Sequence, residues 1–367
     1  MRDATNKKLQ IAKAQKNDEF YTILSDIENE LKHYKKQFKN KVVYCNCDDP
    51  KISNFFHYFA YNFEKLGLKS LITSCYKNQQ MDLFSKHDSE RSILLEYKGD
   101  RNNNNVPDPE EIGVKYLKGD GDFRSQECIE ILKKVDIVVT NPPFSLFREY
   151  IGQLVKYKKD FLVIGTWNAI GYKEIFKLIK NNKCWIGVNS NRNFSGFIIP
   201  KHYSMHGSEA RIDDQGNRIV SSNNTCWFTN LNNQKRNSPI ILHRKYHEEE
   251  YPKYENYDAI NIDKTNDIPS DYDGLMGVPI TFIDKYNPSQ FEIIALGVVG
   301  SIDFKNNRRM EILDKKTGAP TGKFTNNAKG TLYRKRNNEK DKYFAFKDCE
   351  TGQLYSSIYS RIIIRKK

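Results

Sequence analysis

The chain has 367 residues, 38% hydrophobic and 29% charged, which is enough for a catalytic domain plus one more and too apolar for a disordered chain. No apolar run approaches the roughly 20 residues of a membrane span, and residues 1–17 are polar and Lys-rich without a signal-peptide core, so membrane and exported classes are excluded and a soluble, cytoplasmic protein is expected. The formal net charge of +13 favours a polyanionic partner, although a Lys- and Asn-rich composition also serves solubility.

In chain order, the first feature is Asn17-Asp18-Glu19-Phe20-Tyr21-Thr22, a polar-aromatic cluster. It reads either as a lid over a bound cofactor or as a helix start capped by Asp18. Residues 41–45 (KVVYC) predict a buried strand, and Phe55, Phe56, Phe59, Phe63 and Leu66 recur at helical spacing over 54–66. A second strand is predicted at 68–74 (LKSLITS), a loop at 102–105, a helix at 125–134, a strand at 135–140 (VDIVVT), a helix at 145–157 and a strand at 161–165 (FLVIG). Strands alternating with helices predict a parallel sheet covered on both faces, with ligands at the carboxyl ends of its strands. From about residue 185 Gly, Asn, Asp and Tyr clusters replace the helical patterns. Further strands are predicted at 197–200, 226–229, 239–242, 277–283 and 291–299. This texture divides the chain into a catalytic domain, 1–184, and a mixed or β-rich region, 185–367.

Seven cysteines without framework spacing fit a reducing compartment, and the close pair Cys45 and Cys47 has no partner ligands to complete a zinc site, so no metal is expected.

Three segments at predicted strand ends carry the chemistry. The sharpest is Asn141-Pro142-Pro143-Phe144, directly after the strand at 135–140. An adenine amino nitrogen is a poor nucleophile because its lone pair is delocalised into the ring. The Asn141 side-chain carbonyl and the Pro142 backbone carbonyl could accept its two hydrogens, the prolines stiffening the turn and Phe144 offering a stacking face. The plainer alternative is a rigid strand-to-helix turn with a packing Phe. The motif suits amino methyltransferases acting on adenine, on the cytosine amino group or on protein glutamine. Methylation of a cytosine ring carbon would use a Cys, usually after Pro, and no proline here precedes a Cys. The other two segments are residues 46–50, where Asp48 or Asp49 could meet a cofactor ammonium, and 119–123. There Asp122 could bond the amino group of a cofactor adenine while Phe123 packs on its ring. An Asx turn and a glycine turn with solvated acids are the alternatives. No Gly-rich phosphate loop is present, and S-adenosylmethionine has no phosphate to cradle.

In the order lid, first strand end, acid-aromatic turn and Asn-Pro-Pro-Phe turn, the segments KNDEFYT, VVYCNCDDPKISNFF, GDGDFRS and DIVVTNPPFSLFREY resemble the EcoRI-type adenine-specific DNA methyltransferases. The resemblance continues through SGFIIPKHY, EARIDDQGNRIVSSNN, YPKYENYDAIN and MGVPITF, and again in the closing YSRIIIRKK, with residues 295–357 more divergent. It implies a Rossmann-like methyltransferase core using S-adenosylmethionine, a downstream target-recognition region, and methylation of double-stranded DNA at GAATTC, on the inner adenine of each strand. It further implies a monomer and a genetic pairing with a restriction endonuclease. Motif by motif it transfers the target-base role to Asn141, Pro142, Pro143 and Phe144, and cofactor roles to Phe20, Tyr21, Thr22, Asp48, Asp49, Asp122 and Phe123. Two departures are the replacement of the usual Gly-rich first loop by residues 46–50 and the absence of a ribose-holding acid from 71–76. Candidate base-reading side chains cluster in 189–224: Asn191, Arg192, Asn193, Arg211, Gln215, Asn217 and Arg218.

Overall fold

The computed structural model describes residues 20–47, 53–75, 92–104, 107–108, 110–190, 194–199, 210–221, 224–297, 308–314, 317–325, 332–336, 344–358 and 360–367. The chain forms two compact units, Met1–Ala169 with Cys184–Asn233, and Ile170–Lys183 with Gln234–Lys367.

The first unit is built on β1 (Tyr21–Thr22), β2 (Val42–Asn46), β3 (Ser70–Ser74), β4 (Ile93–Tyr97), β5 (Ile112–Tyr116), β6 (Ile137–Thr140), β7 (Asp160–Thr166), β8 (Trp185–Ser190), β9 (Phe197–Ile199), β10 (Ala210–Ile212), β11 (Arg218–Val220) and β12 (Thr225–Thr229). Eight of these form one sheet in the order β5-β4-β3-β2-β6-β7-β12-β8. The central four, β3-β2-β6-β7, are parallel, and the flanking pairings β3–β4, β4–β5, β7–β12 and β12–β8 are antiparallel. The parallel strands are the continuous apolar runs of the sequence because both of their faces are covered. Val43, Cys45, Ile137, Val139, Leu162 and Ile164 share one cluster with Phe55, Phe59 and Trp227. The alternate residues Tyr44, Val138 and Val163 are equally buried. On that second face Phe147 packs on Phe228, and Tyr150 reaches β2. The predicted helix over 54–66 is broken at Asn62, whose side chain bonds the Tyr58 carbonyl and opens the short helix Phe63–Leu66. Ser125 caps helix Gln126–Lys134 by accepting from Cys128 N at 3.2 Å.

The boundary expected at residue 185 falls inside this unit. Strands β8 and β12 complete the sheet, and it is Ile170–Lys183, between β7 and β8, that joins the second unit. The change of texture therefore marks antiparallel strands entering a parallel sheet, not the end of the sheet.

The second unit carries β13 (Ile260–Asn261), β14 (Met276–Pro279), β15 (Phe291–Gly297), β16 (Met310–Leu313), β17 (Pro320–Thr325), β18 (Leu332–Lys335), β19 (Phe344–Asp348), β20 (Leu354–Ile358) and β21 (Arg361–Lys366). These form two sheets, β13-β14-β21-β15 and β17-β16-β19-β20-β18, so the β-rich reading of this stretch holds. The closing run RIIIRK is the strand between β14 and β15, which explains its apolar length. The strand expected at 239–242 is absent: Pro239 has no donor, Ile241 is 71% exposed, and Ile240 bonds the Gln290 side chain instead of a ladder. Residues 277–283 are half strand, giving way to a 3-10 turn, Ile280–Lys285, after Pro279.

Candidate active site

The order of the central strands reverses between β2 and β6, since the chain runs from β2 to β3 on one side and from β6 to β7 on the other. At such a switch point the loops leave in opposite directions and open a crevice beyond the carboxyl ends. Asn46 and Cys47 lie at the end of β2, and Asn141 to Phe144 at the end of β6.

Asn141 is buried at 7% exposure. Its Nδ2 donates to the Phe20 carbonyl at 2.6 Å, which fixes the orientation of the amide. Its Oδ1 is buried without a hydrogen-bond partner. An unpaired buried carbonyl costs about 1–3 kcal/mol, so the position holds an acceptor ready for a donor. The strand end beneath is stitched together: Thr140 Oγ1 donates to the Asn46 carbonyl, and the buried Tyr150 hydroxyl donates to Asn46 Oδ1. After Pro142 and Pro143 the chain turns through a 3-10 segment, Phe144–Leu146, into helix Phe147–Lys156.

Phe144 is half-buried and faces Phe20, the ring planes 12° apart and the centroids separated by 6.3 Å. Phe197 stands edge-on to both, 6.0 Å from Phe20 and 6.2 Å from Phe144. Its strand β9 pairs with β1, Thr22 opposite Phe197. Asn54 Nδ2 holds the Thr22 carbonyl at 2.7 Å, while Thr22 Oγ1 is buried and unpaired. The segment Phe20–Thr22 is thus tied to the Asn141 turn by Phe20 and to the helix Asn54–Tyr61 by Asn54.

The acid-aromatic turn lies against the end of β3. Gly121 has φ +79°, and a Cβ there would fall 2.1 Å from the Cys75 carbonyl and 2.3 Å from Ser92 Oγ, so only glycine fits. Asp122 accepts from Arg124 N at 2.8 Å, Nε at 2.9 Å and Nη2 at 2.6 Å, and the Arg124 side chain holds its pKa below the usual carboxylate range. Phe123 is buried, edge-on to Tyr150 at 5.0 Å. Asp48 and Asp49 lie outside the described residues.

Sequence reasoning missed Asn46, Asn54, Tyr150 and Phe197, which link these turns. It also missed a pair of buried carboxylates on helix Leu24–Leu31. Glu30 accepts from Tyr34 Oη, Val188 N, Asn189 N and Asn189 Nδ2 at 2.6–3.0 Å, and Asp26 accepts from Ser195 N and Oγ at 2.8 Å. Burial pushes both carboxyl groups up. Acids at i and i+4 on a helix read as surface charge, and nothing in the local pattern marks these as buried.

Of the candidate base readers, Asn191, Arg192 and Asn193 lie outside the described residues. Arg211 Nη2 donates to the Ser195 carbonyl, and Asn217 closes the β10–β11 turn through Asp213. Arg308, Arg309 and Arg336 each make a contact within the second unit. Arg308 bonds Tyr355 Oη at 2.8 Å, Arg309 lies 4.7 Å over the Phe324 ring, and Arg336 bonds Ser356 Oγ at 3.2 Å. Among the described residues, no helix is long and apolar enough to cross a membrane, and no group of three or more His, Cys, Asp or Glu could hold a metal ion.

A mixed α/β sheet whose switch point presents an anchored Asn-Pro-Pro-Phe turn with an open amide acceptor belongs to the amino-group methyltransferases. The comparison with known proteins makes this specific: the family model for the EcoRI adenine-specific methyltransferase matches residues 8–367, and the chain belongs to that family. It is 57% identical over 295 residues to the type II methyltransferase M.EcoRI of Escherichia coli, covering 80% of this chain and 90% of that protein. It is 40% identical over 288 residues to the type II methyltransferase M.MgeORF184P of Mycoplasma genitalium, covering 77% and 84%. It is 38% identical over 287 residues to M.MpnI of Mycoplasma pneumoniae, covering 77% and 83%. No solved structure matches the chain. The protein is a site-specific, adenine-specific DNA methyltransferase.

Proposed function

We propose that this enzyme methylates the inner adenine of GAATTC in double-stranded DNA from the bacterial cytoplasm, as the modification partner of a restriction endonuclease, using S-adenosylmethionine on a Rossmann-like core. The observation that carries the catalytic part is the buried, partnerless Oδ1 of Asn141, held in place by its own Nδ2 on the Phe20 carbonyl. That oxygen and the Pro142 carbonyl accept the two amino hydrogens of an extruded adenine, which frees the nitrogen lone pair to attack. Pro142 and Pro143 remove backbone freedom from the turn, so the acceptors need no reorganisation in the transition state. Phe144 stacks on the base.

The residues beside the turn fit the cofactor. Thr22 Oγ1 is a buried hydroxyl seeking a partner, and Phe123 offers a ring. The Asp122 carboxylate uses three of about four acceptor positions on Arg124, leaving one for an adenine amino group. Tyr21, Thr22, Asp48, Asp49, Asp122 and Phe123 are assigned to cofactor binding. Phe20 borders both sites. When bound, the cofactor supplies an electrophilic methyl on its sulfonium. The target sequence rests on the kinship with M.EcoRI and on the resemblance of SGFIIPKHY and EARIDDQGNRIVSSNN to that family. A palindrome is modified in two visits, so a monomer suffices.

The test combines radiolabelled methyl transfer to DNA with cleavage protection. Wild-type protein should protect plasmid DNA from an endonuclease cutting GAATTC, and Asn141→Ala should lose about 10²–10³-fold in rate while binding S-adenosylhomocysteine normally. Full cleavage alongside adenine methylation elsewhere overturns the target sequence. Near-normal turnover of Asn141→Ala overturns the site.

A further inference from the structure

We propose that Phe20 is a target-base contact, so that the extruded adenine is held between two rings, Phe20 and Phe144. This rests on the reading of the Asn141 turn given above and adds a second wall to it.

The two rings are within 12° of parallel at a centroid separation of 6.3 Å. That lies toward the wide end of the 4.5–7 Å found for aromatic pairs. A planar ring entering between them spreads the planes to the ~7 Å that two stacked steps of 3.4 Å require. The third side is already built: Phe197 is edge-on to Phe20 at 69° and to Phe144 at 75°, and it is 2% exposed. Phe20 and Phe144 by contrast are only partly buried, packed against the core but not enclosed by it.

The same residue that supplies one wall also sets the hydrogen-bonding group at the slot. The Phe20 carbonyl receives Asn141 Nδ2 at 2.6 Å, leaving Asn141 Oδ1 as the unpaired acceptor. The ring and the carbonyl of one residue thus fix the stacking plane and the acceptor together. Thr22, two residues on from Phe20, is registered to Phe197 across β1–β9, which brings the edge-on ring beside the segment that carries Phe20. A ligand matched to this arrangement is a flat heteroaromatic ring with an exocyclic amino group; the cofactor's adenine shares that chemistry but is assigned to Asp122 and Phe123, which leaves the target base for these rings. A methionine chain presents no plane to two parallel rings.

The experiment compares Phe20→Ala, Phe20→Leu and Phe20→Tyr with wild type. A duplex carrying 2-aminopurine at the modified position reports extrusion by its emission, calorimetry with S-adenosylhomocysteine reports the cofactor site without DNA, and steady-state kinetics report kcat and KM for DNA. Phe20→Ala and Phe20→Leu should lower the extruded fraction and kcat/KM for DNA by about 5- to 100-fold, the range expected for one aromatic–base stack, while the affinity for S-adenosylhomocysteine stays within threefold. Phe20→Tyr should restore extrusion, because it keeps the ring. Wild-type extrusion in Phe20→Leu would overturn the proposal by reducing Phe20 to packing. A loss of S-adenosylhomocysteine affinity with extrusion unchanged in Phe20→Ala would overturn it by placing the ring on the cofactor. Failure of the underlying reading is separable, because it appears as near-normal turnover in Asn141→Ala whatever Phe20 does.

Discussion

Gly121→Ala tests whether the acid-aromatic turn is seated against the end of β3 as described. Two penalties add. At φ +79° an L side chain costs about 1–2 kcal/mol. The new Cβ would also lie 2.1 Å from the Cys75 carbonyl, where ordinary contact begins at 3.4 Å, so the turn must retreat by more than 1 Å. Overpacking of this kind costs about 1–3 kcal/mol, for a total of roughly 2–5 kcal/mol. Gly216→Ala is the internal control, because Gly216 has φ +78° and nothing within 4 Å of its added Cβ, so it carries the backbone penalty alone. The assay is urea unfolding followed by tryptophan emission. Trp167, Trp185 and Trp227 are the three tryptophans of the chain and all lie in the first unit, so the signal reports that unit. Displacing the turn moves Asp122 and Phe123, and the Kd for S-adenosylhomocysteine should rise at least tenfold in Gly121→Ala and stay level in Gly216→Ala. If Gly121→Ala proves no more costly than Gly216→Ala in stability and in affinity, the turn is not packed on Cys75.

Three further outcomes are expected. Arg124→Gln should raise the Asp122 carboxyl toward the ordinary range in an NMR titration; because the folded pKa is depressed, the stability it contributes is present above the unfolded value and lost as pH falls through the folded one, so acid unfolding should begin at higher pH in the variant. For Asp26 and Glu30 the sign reverses, since burial raises both: their contribution is full below the unfolded values and lost as pH rises through the folded ones, so the stability difference between wild type and Asp26→Asn/Glu30→Gln should shrink from pH 4 to pH 8 in urea titrations, and a widening gap would refute this. Tyr150→Phe leaves Asn46 Oδ1 without its donor in a buried site and should lose about 1–2 kcal/mol in the same unfolding assay, with no loss meaning the bond is immaterial.

The sequence made the parallel centre of the sheet legible, because strands buried on both faces must be apolar throughout: KVVYC, LKSLITS, VDIVVT and FLVIG lie at β2, β3, β6 and β7. Helix Gln126–Lys134 matches the helix expected over 125–134. The edges were not legible. β5 (IGVKY) alternates, yet Val114 and Tyr116 are exposed, so its pattern marks no buried face, and the antiparallel insertion of β12 between β7 and β8 is a long-range pairing that no local pattern encodes. In the site, Asn141 and Phe144 were read from one short motif. The clamp on Asn46 by Tyr150, 104 positions away, and the facing of Phe20 onto Phe144 depend on how distant elements meet, and sequence order alone could not pair them.

The place of β12 bears on how the protein is made. β7 ends at Thr166 and its outer neighbour begins at Thr225, so during synthesis the edge of a half-built sheet waits for about sixty residues. At 5–20 residues per second this is roughly 3–12 s. Through that interval Leu162, Val163 and Ile164 border an unpaired ladder, the kind of edge that recruits strands from other chains. Strand β8 emerges first, yet in the finished sheet it is held through β12 and does not lie beside β7. Closure is therefore late and sudden, and a nascent chain stalled between residues 190 and 225 would be the form most prone to aggregate.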